Sequence, residues 1–200
     1  MHFINLEQGS PQWLDLRLSK ITGTDASVIA GSNPFTSIEE LWELKLLIRE
    51  PKPANERMAR GNALEGPARL LLSKELGIDF QPAVVLHDTE SWAMASLDGL
   101  SPCKRFMCEI KSPGLKNHEL AMIGEIAPYY YTQIQHCLYV TGCELCYFAS
   151  YNPDHREPLI IIKFVPNEEY IEELIAKEKY FYEINMCTMH SPGWTLQLKK

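Results

Sequence analysis

Residues 91–113, SWAMASLDGLSPCKRFMCEIKSP, decide the fold of this chain. Two apolar, strand-like runs flank a turn that contains glycine, serine and proline, so the stretch predicts a β-hairpin. Asp98 lies at the end of the first strand. Glu109 and Lys111 are two residues apart on the second strand, and their side chains therefore point to the same face of the sheet. The hairpin thus brings carboxylates and a lysine to one place on the sheet.

This group of charges indicates metal-dependent chemistry. Carboxylates and an ammonium group are costly on an apolar sheet unless a divalent ion joins them. Oxygen ligands of this kind suit Mg²⁺ or Mn²⁺, which bind through one or two carboxylates together with water and phosphate oxygens. The alternative is a surface hairpin whose charges face water, because a pattern this short also occurs without any chemistry.

The composition is typical of one globular domain over residues 1–200, with 46% hydrophobic residues and enough length for a sizeable core. The first residues do not resemble a secretion signal, and no apolar run could span a bilayer, so we expect a cytoplasmic protein without membrane contact. Its six cysteines are then expected to be reduced thiols. Cys143 and Cys146 have the spacing of zinc ligands, but without a second such pair structural positions are favoured.

The charge is acidic overall and basic in one segment. A formal net charge of −7 argues against a protein that coats nucleic acid, but it is compatible with an enzyme whose positive charge is confined to a channel. Residues 45–69 hold six basic residues against three acidic ones, and this segment is a candidate DNA-backbone face. An ordinary solvated helix surface is the alternative. The basic residues are Lys45, Arg49, Lys52, Arg57, Arg60 and Arg69.

Helix and strand signals predict an α/β (α+β) fold, with a mixed central β-sheet flanked by helices. Ser10 before Pro11, and Ser37 with Glu40 three residues later, mark two helix starts. Residues 50–53 are predicted to be a linker. Helices are predicted at 10–17, from about 22 to 31, at 37–48, 61–76, 117–126, 128–140 and 167–184, and strands outside the hairpin at 84–86, 145–151 and 159–165.

The helix predicted at 128–140 carries two glutamines that compete for one role. Gln133 and Gln135 lie about 100° to either side of Ile134, which belongs to the core stripe. They therefore flank the core on opposite sides, and only one of them can easily border the same site. His136 is expected to face solvent.

The order of these residues resembles a PD-(D/E)XK nuclease core, the core of restriction endonucleases, and more narrowly the lambda-type phage exonuclease and YqaJ-like viral recombinase family. The resemblance covers about residues 10–165. Its motifs are W-x3-R-x3-ITGTD at 13–25, G-x3-E at 61–65, LDG at 97–99, EIKSP at 109–113 and Y-x-Q-x-Q at 131–135. In this sequence Leu97 replaces the proline that opens the nuclease motif.

Besides Leu97, the sequence differs from the motifs of related nucleases at the glutamine. Related bacterial recombination nucleases carry Gln-x3-Tyr, which fits Gln135 and Tyr139, whereas the lambda-type pattern points to Gln133. We favour Gln133, because the Tyr-x-Gln-x-Gln arrangement matches the more similar family.

The resemblance implies a catalytic core at about 60–165 and a role for each residue of the site. Asp98 and Glu109 would hold Mg²⁺, for which Mn²⁺ could substitute, with help from the Ile110 carbonyl, and Glu65 would hold a second ion. Lys111 would orient or deprotonate the attacking water, or stabilise charge on the phosphate. Catalytic roles are expected for Asp98, Glu109, Lys111 and Gln133.

The resemblance also implies a DNA-end site formed partly by the N-terminal helices at 10–50. Arg17, Thr24 and Ser96 would hold the 5′-phosphate, since a guanidinium and two hydroxyls suit a phosphate. These residues could also have purely structural roles. Arg17 would then lie at the end of a helix, Thr24 would cap a helix, and Ser96 would pack against a neighbour on its strand.

The activity implied is that of a processive 5′→3′ exonuclease on double-stranded DNA ends, which leaves 3′ single strands for recombination. A homotrimeric ring, a single-strand annealing partner, and a phage or prophage origin in a bacterial host are implied as well. The alternatives are a restriction or junction-resolving endonuclease of the same fold, and a DNA-end-binding protein without catalysis.

Overall fold

The computed structural model of this protein describes residues 1–50 and 55–186. Most of the predicted linker at 50–53 and the last fourteen residues of the predicted domain, 187–200, lie outside the described residues. In chain order the elements are β1 (His2–Phe3), α1 (Pro11–Leu18), α2 (Gly23–Ile29), α3 (Ile38–Lys45), α4 (Glu56–Leu76), β2 (Gln81–Leu86), β3 (Met94–Leu100), β4 (Phe106–Lys111), α5 (Leu115–Met122), α6 (Pro128–Thr141), β5 (Leu145–Tyr151), β6 (Leu159–Phe164), α7 (Glu168–Phe181) and a π-helical turn (Tyr182–Met186).

Two capping residues place the starts of α1 and α3 where the sequence predicts them. The Ser10 side chain accepts a hydrogen bond from Trp13 N, and Ser37 forms a capping box with Glu40. The start of α4 differs from the prediction, because the Asn55 side chain caps a helix that begins at Glu56 rather than at Gly61. A glycine inside an exposed helix costs only about 1 kcal/mol, and the cap before it decides where the helix begins.

The six strands form one sheet in the order β1-β2-β3-β4-β5-β6. All neighbouring strands are antiparallel except β4 and β5, which are parallel over the whole of β4. A parallel connection needs a crossover, and here α5 and α6 supply it. The predicted mixed sheet with flanking helices is therefore confirmed.

Two hydrophobic clusters lie on opposite faces of the sheet. The larger one joins α2, α3, α6 and α7 to the sheet around Leu97, Ile134 and Phe148. The smaller one packs α4 against the other face around Leu72 and Ile110. Alternate residues of β4 thus enter different clusters, and the charged residues of the same strand face α6.

His136 corrects one prediction, since it is fully buried rather than solvent-facing. Its ring bonds Glu178 of α7 through Nδ1 and the Met94 carbonyl oxygen through Nε2, at 2.9–3.0 Å. Helical periodicity marked this face of α6 as outer, but α7 covers it. Among residues 1–50 and 55–186, no helix has the length and apolarity to cross a membrane.

Candidate active site

A fork between β3 and β4 creates the site. The two strands pair only at Gly99–Cys108 and Leu100–Met107, and beyond that point they separate. Asp98 lies at the opening, where its Oδ2 accepts a hydrogen bond of 2.7 Å from the Ile110 backbone N–H. The Asp98 carboxylate thus accepts the hydrogen bond that a backbone carbonyl of β3 would accept if the two strands were still paired. This bond fixes the orientation of the carboxylate toward β4.

Gly99 has a packing role at this fork. A Cβ atom at this position would lie 2.6 Å from Cys108 Sγ and 2.7 Å from Phe80 Cβ. Only glycine lets β3 and β4 pair here while Phe80 covers them. The glycine that follows the aspartate is therefore required by the geometry of the fork.

Glu109 is the buried centre of the site, with only 1% of its surface exposed. It forms an ion pair with Lys111 Nζ, and its Oε1 accepts a hydrogen bond of 2.7 Å from Gln133 Nε2. Gln135 is elsewhere: its amide bonds the backbone of Val165 and Asn167. Of the two glutamines, the structure brings Gln133 to the site, which is the one the sequence favoured.

The site places two carboxyl groups, of Asp98 and Glu109, next to the ammonium group of Lys111. Burial raises the pKa of Asp98 well above its ordinary range, and the nearby Glu109 carboxylate raises it further, while Lys111 opposes this effect. Burial alone would lower the pKa of Lys111, but the Glu109 and Asp98 carboxylates outweigh it and the pKa is raised. Two neighbouring carboxylates favour a bound cation, because a divalent ion can neutralise the negative charge that the Lys111 ammonium alone does not neutralise.

Glu65 borders the site from α4 but is paired. Its Oε1 lies 2.8 Å from Arg69 Nη1, and the same nitrogen donates to the Asp98 carbonyl oxygen at 2.9 Å. Arg69 therefore links α4 to β3, a contact that the sequence analysis did not anticipate. The i, i+4 spacing of Glu65 and Arg69 was the available signal.

The donor set can be compared with what a metal ion needs. Within the described parts of the chain, no three His, Cys, Asp or Glu side chains form a group that could hold a metal ion on their own. Asp98 and Glu109 with the Ile110 carbonyl still fit Mg²⁺ or Mn²⁺, which take one or two carboxylates and complete their shells with water and phosphate. A second ion at Glu65 would have to compete with Arg69.

Trp13 contacts both Arg17 and Ser96. The Arg17 guanidinium lies 4.5 Å from the centroid of the Trp13 ring, and Trp13 Nε1 donates to Ser96 Oγ at 2.9 Å. Thr24 is exposed on the first turn of α2 and is not the helix cap, because the cap is Thr22. Trp13 and Arg17 are four residues apart on α1, and this spacing predicts their contact.

Lys45 corrects the predicted basic DNA face. It is buried, and its Nζ donates to the carbonyl oxygens of Arg17 and Lys20 and to Asp25 Oδ2, at 2.6–2.8 Å. Burial would raise the pKa of Asp25, but the Lys45 ammonium and the Arg17 guanidinium lower it below its ordinary value. Lys45 thus fixes the segment that carries Arg17 and cannot contact DNA.

Other basic residues of the predicted face are engaged with carboxylates. Arg49 pairs with Glu40 and Glu43, Arg60 with Asp154, and Arg69 with Glu65. Arg57 is exposed, and Lys52 lies outside the described residues. The basic segment is therefore mostly used within the protein.

Gly23 and an open groove complete the surroundings. A Cβ atom at Gly23 would lie 2.8 Å from Gln133 Cγ, so glycine lets α2 approach α6 beside the glutamine that contacts Glu109. On the other side, a groove of about 1130 Å³ lies between the N-terminal segment, α4, β2 and the β3–β4 turn, and it reaches Trp13 and Glu65. The groove thus reaches Glu65, at the border of the site.

The forked, mixed sheet has the PD-(D/E)XK fold, and Asp98, Glu109 and Lys111 lie at the opening of its fork. Residues 12–144 match the YqaJ-like viral recombinase domain, and the chain belongs to this family.

The chain is similar in sequence to one curated protein and in fold to two solved exonucleases. The protein YqaJ of Bacillus subtilis (strain 168) is 29% identical over 154 residues, which is 72% of this chain and 47% of YqaJ, so the chain spans about half the length of that relative. The alkaline exonuclease LHK-Exo of Laribacter hongkongensis, solved in complex with dAMP, has a TM-score of 0.79 and 24% identity, over 90% of this chain and 94% of that one. A phage-related exonuclease of Haemophilus somnus 129PT has a TM-score of 0.60 and 13% identity, over 85% and 96%.

Proposed function

We propose that this protein is a metal-dependent exonuclease that degrades double-stranded DNA from its ends in the 5′→3′ direction. The observation that carries the proposal is the meeting of Asp98, Glu109 and Lys111 at the opened end of β3 and β4. Membership of a viral recombinase family, and a fold shared with two proteins described as exonucleases, support DNA as the substrate.

The residues of the fork would share the hydrolytic work. Asp98, Glu109 and the Ile110 carbonyl would hold Mg²⁺ or Mn²⁺, which when bound supplies a nucleophilic water and stabilises charge on the phosphate. The Lys111 ammonium, held by Glu109, would face the same phosphate or the attacking water. Gln133 would keep Glu109 in the orientation in which it can bind the metal ion and pair with Lys111.

The 5′ polarity rests on the pair of Arg17 and Ser96. Trp13 holds both groups, and a guanidinium beside a hydroxyl suits a terminal phosphate. The exposed Thr24 hydroxyl would be a further donor. A strand end held at this place would put the next phosphodiester at the fork, because Ser96 and Asp98 lie on the same strand.

The wider setting is proposed on the family resemblance. A homotrimeric ring around duplex DNA would make the reaction processive, and the 3′ strand would pass to a single-strand annealing protein in the cytoplasm of a bacterial host. An acidic exterior around a basic channel would reconcile DNA binding with the net charge of −7.

The test is digestion in Mg²⁺ of linear duplex DNA with 5′-phosphate or 5′-hydroxyl ends, beside a closed circle. We expect only linear DNA to be degraded, faster with the phosphate, and Lys111→Ala to lose about 10²–10³-fold in rate. The matched control is Lys163→Ala, a lysine on the edge strand β6. Cutting of the circle would identify an endonuclease, and binding of ends without cleavage would identify a DNA-end-binding protein.

A further inference from the structure

Three aromatic side chains, Tyr130, Tyr129 and Phe35, extend from the fork to the protein surface, and we call them the aromatic row. Lys111 Nζ lies 5.4 Å from the centroid of the Tyr130 ring. The Tyr129 and Tyr130 rings are 4.3 Å apart, and the Phe35 ring contacts Tyr129 edge-on at 5.5 Å. The row therefore begins at a residue of the candidate active site.

The two ends of the row differ in exposure. Tyr130 is partly buried against Phe148, at 5.8 Å between ring centroids. Phe35, in contrast, has 64% of its surface exposed. What distinguishes Phe35 is its place, because its ring contacts Tyr129, which packs on Tyr130 beside Lys111.

The loop that carries Phe35 is held in place by hydrogen bonds. Asn33 Oδ1 accepts from the backbone N–H of Phe35 at 2.9 Å, and Asn33 Nδ2 donates to the buried Ser27 at 2.9 Å. Ser32 Oγ lies 3.0 Å from Thr132 Oγ1 on α6, the helix that also carries Tyr129. The exposed ring is thus presented on a fixed turn that is tied to the helix of the active site.

We propose that the aromatic row is a stacking surface for unpaired bases of the DNA strand that enters the fork, with Phe35 as the contact for the outermost base. This inference rests on the proposed function. Bases stack on aromatic side chains in proteins that bind single strands, and the gain per base does not depend on sequence. The rings meet at interplanar angles of 59° and 76°, so a base would stack at the outer, exposed end of the row, on Phe35.

The experiment compares Phe35→Ala with the wild-type protein on two linear duplexes that differ only at one 5′-phosphorylated end. One duplex has normal bases there, and in the other the terminal nucleotides are abasic. We expect Phe35→Ala to raise KM about 5-fold to 100-fold on normal DNA and to leave it unchanged on abasic DNA, because the lost stacking requires a base. Phe35→Trp should restore the wild-type KM.

The matched control is Tyr180→Ala, which removes an aromatic ring that is 68% exposed on α7, the helix on the other side of α6 from the fork strands' turn. This variant should behave as wild type on both substrates. Binding of the same two DNAs in Ca²⁺, followed by fluorescence anisotropy, repeats the comparison without cleavage.

These measurements separate the inference from the proposed function. A wild-type protein that binds DNA ends but does not degrade them would overturn the exonuclease proposal, while the anisotropy comparison would still test the row. Equal losses for Phe35→Ala on normal and abasic DNA, or no loss on either, would overturn the row as a stacking surface. A changed oligomeric state with unchanged KM would identify Phe35 as a protein contact and would also overturn it.

Discussion

The buried pair of His136 and Glu178 joins α6 to α7, and replacing His136 by phenylalanine tests how strongly. Both side chains are fully buried. The two ring nitrogens face a carboxylate and the Met94 carbonyl oxygen, which only accept hydrogen bonds. Both nitrogens must therefore donate, so the geometry requires a charged imidazolium in the folded protein.

The expected loss of stability depends on the Glu178 carboxylate, which remains buried in the variant. His136→Phe keeps a planar ring but leaves the Glu178 carboxylate buried without its cation, which generally costs about 3–5 kcal/mol. For a chain of this length, we expect the melting temperature to fall by roughly 6–20 °C. A double variant, His136→Phe with Glu178→Leu, should recover much of this loss because it removes the unpaired charge as well.

The stability difference should depend on pH in a defined direction. Burial alone would lower the pKa of His136, but the Glu178 carboxylate and the hydrogen bonds raise it above the ordinary value of 6.5. A group whose pKa is higher in the folded state stabilises fully below its unfolded pKa and loses this contribution as the pH rises through the folded pKa. The advantage of wild type over His136→Phe should therefore be largest below about pH 6.5 and shrink above it.

The assay is urea unfolding followed by circular dichroism, at several values between about pH 6 and pH 9, for wild type, both single variants and the double variant. The double-mutant cycle gives the coupling between the two side chains. A loss below about 1 kcal/mol for His136→Phe, or a loss that does not change with pH, would refute the imidazolium–carboxylate reasoning.

Three further substitutions test how the site is positioned. Trp13→Phe removes the indole hydrogen bond, and the rate advantage of 5′-phosphate over 5′-hydroxyl ends should fall, as measured by digestion of both substrates, while rates on hydroxyl ends stay unchanged. Gly23→Ala brings a methyl group against Gln133 and should cost about 1–3 kcal/mol in urea unfolding and lower turnover, whereas Gly61→Ala, with open space around it, should not destabilise. Lys45→Met removes the ammonium that pairs with the buried Asp25 carboxylate, so the free energy of unfolding should fall by about 3–5 kcal/mol, and the phosphate preference should fall with it in the same digestion assay.

Local signals in the sequence predicted much of the fold. Caps such as Ser10 and Ser37 give helix starts because they bond backbone groups only a few residues away. The position of Asp98 relative to Glu109 and Lys111 also follows locally, because a tight hairpin brings its own two strands together. The predicted start of α4 at Gly61 is wrong, because the Asn55 side chain caps a helix that begins at Glu56.

The roles of Lys45 and His136 were decided by distant parts of the chain. Lys45 lies in a basic segment, yet it is buried because α3 packs against α2 and meets Asp25, twenty residues earlier. His136 is buried because α7, forty-two residues later, provides Glu178. A charged residue is buried only when a partner compensates its lost hydration, and a local pattern carries no information about a partner that far away.

The sequence by itself determined the hairpin, its charges and the family to which the chain belongs. Only the tertiary structure decided that β3 and β4 separate at Asp98, that Trp13 joins Arg17 to Ser96, and that Phe35 lies at the outer end of an aromatic row. The separation of the two strands depends on what packs against them, and the other two features are contacts between elements far apart in sequence. Such contacts depend on how whole helices and strands pack, which the order of residues along one element does not specify.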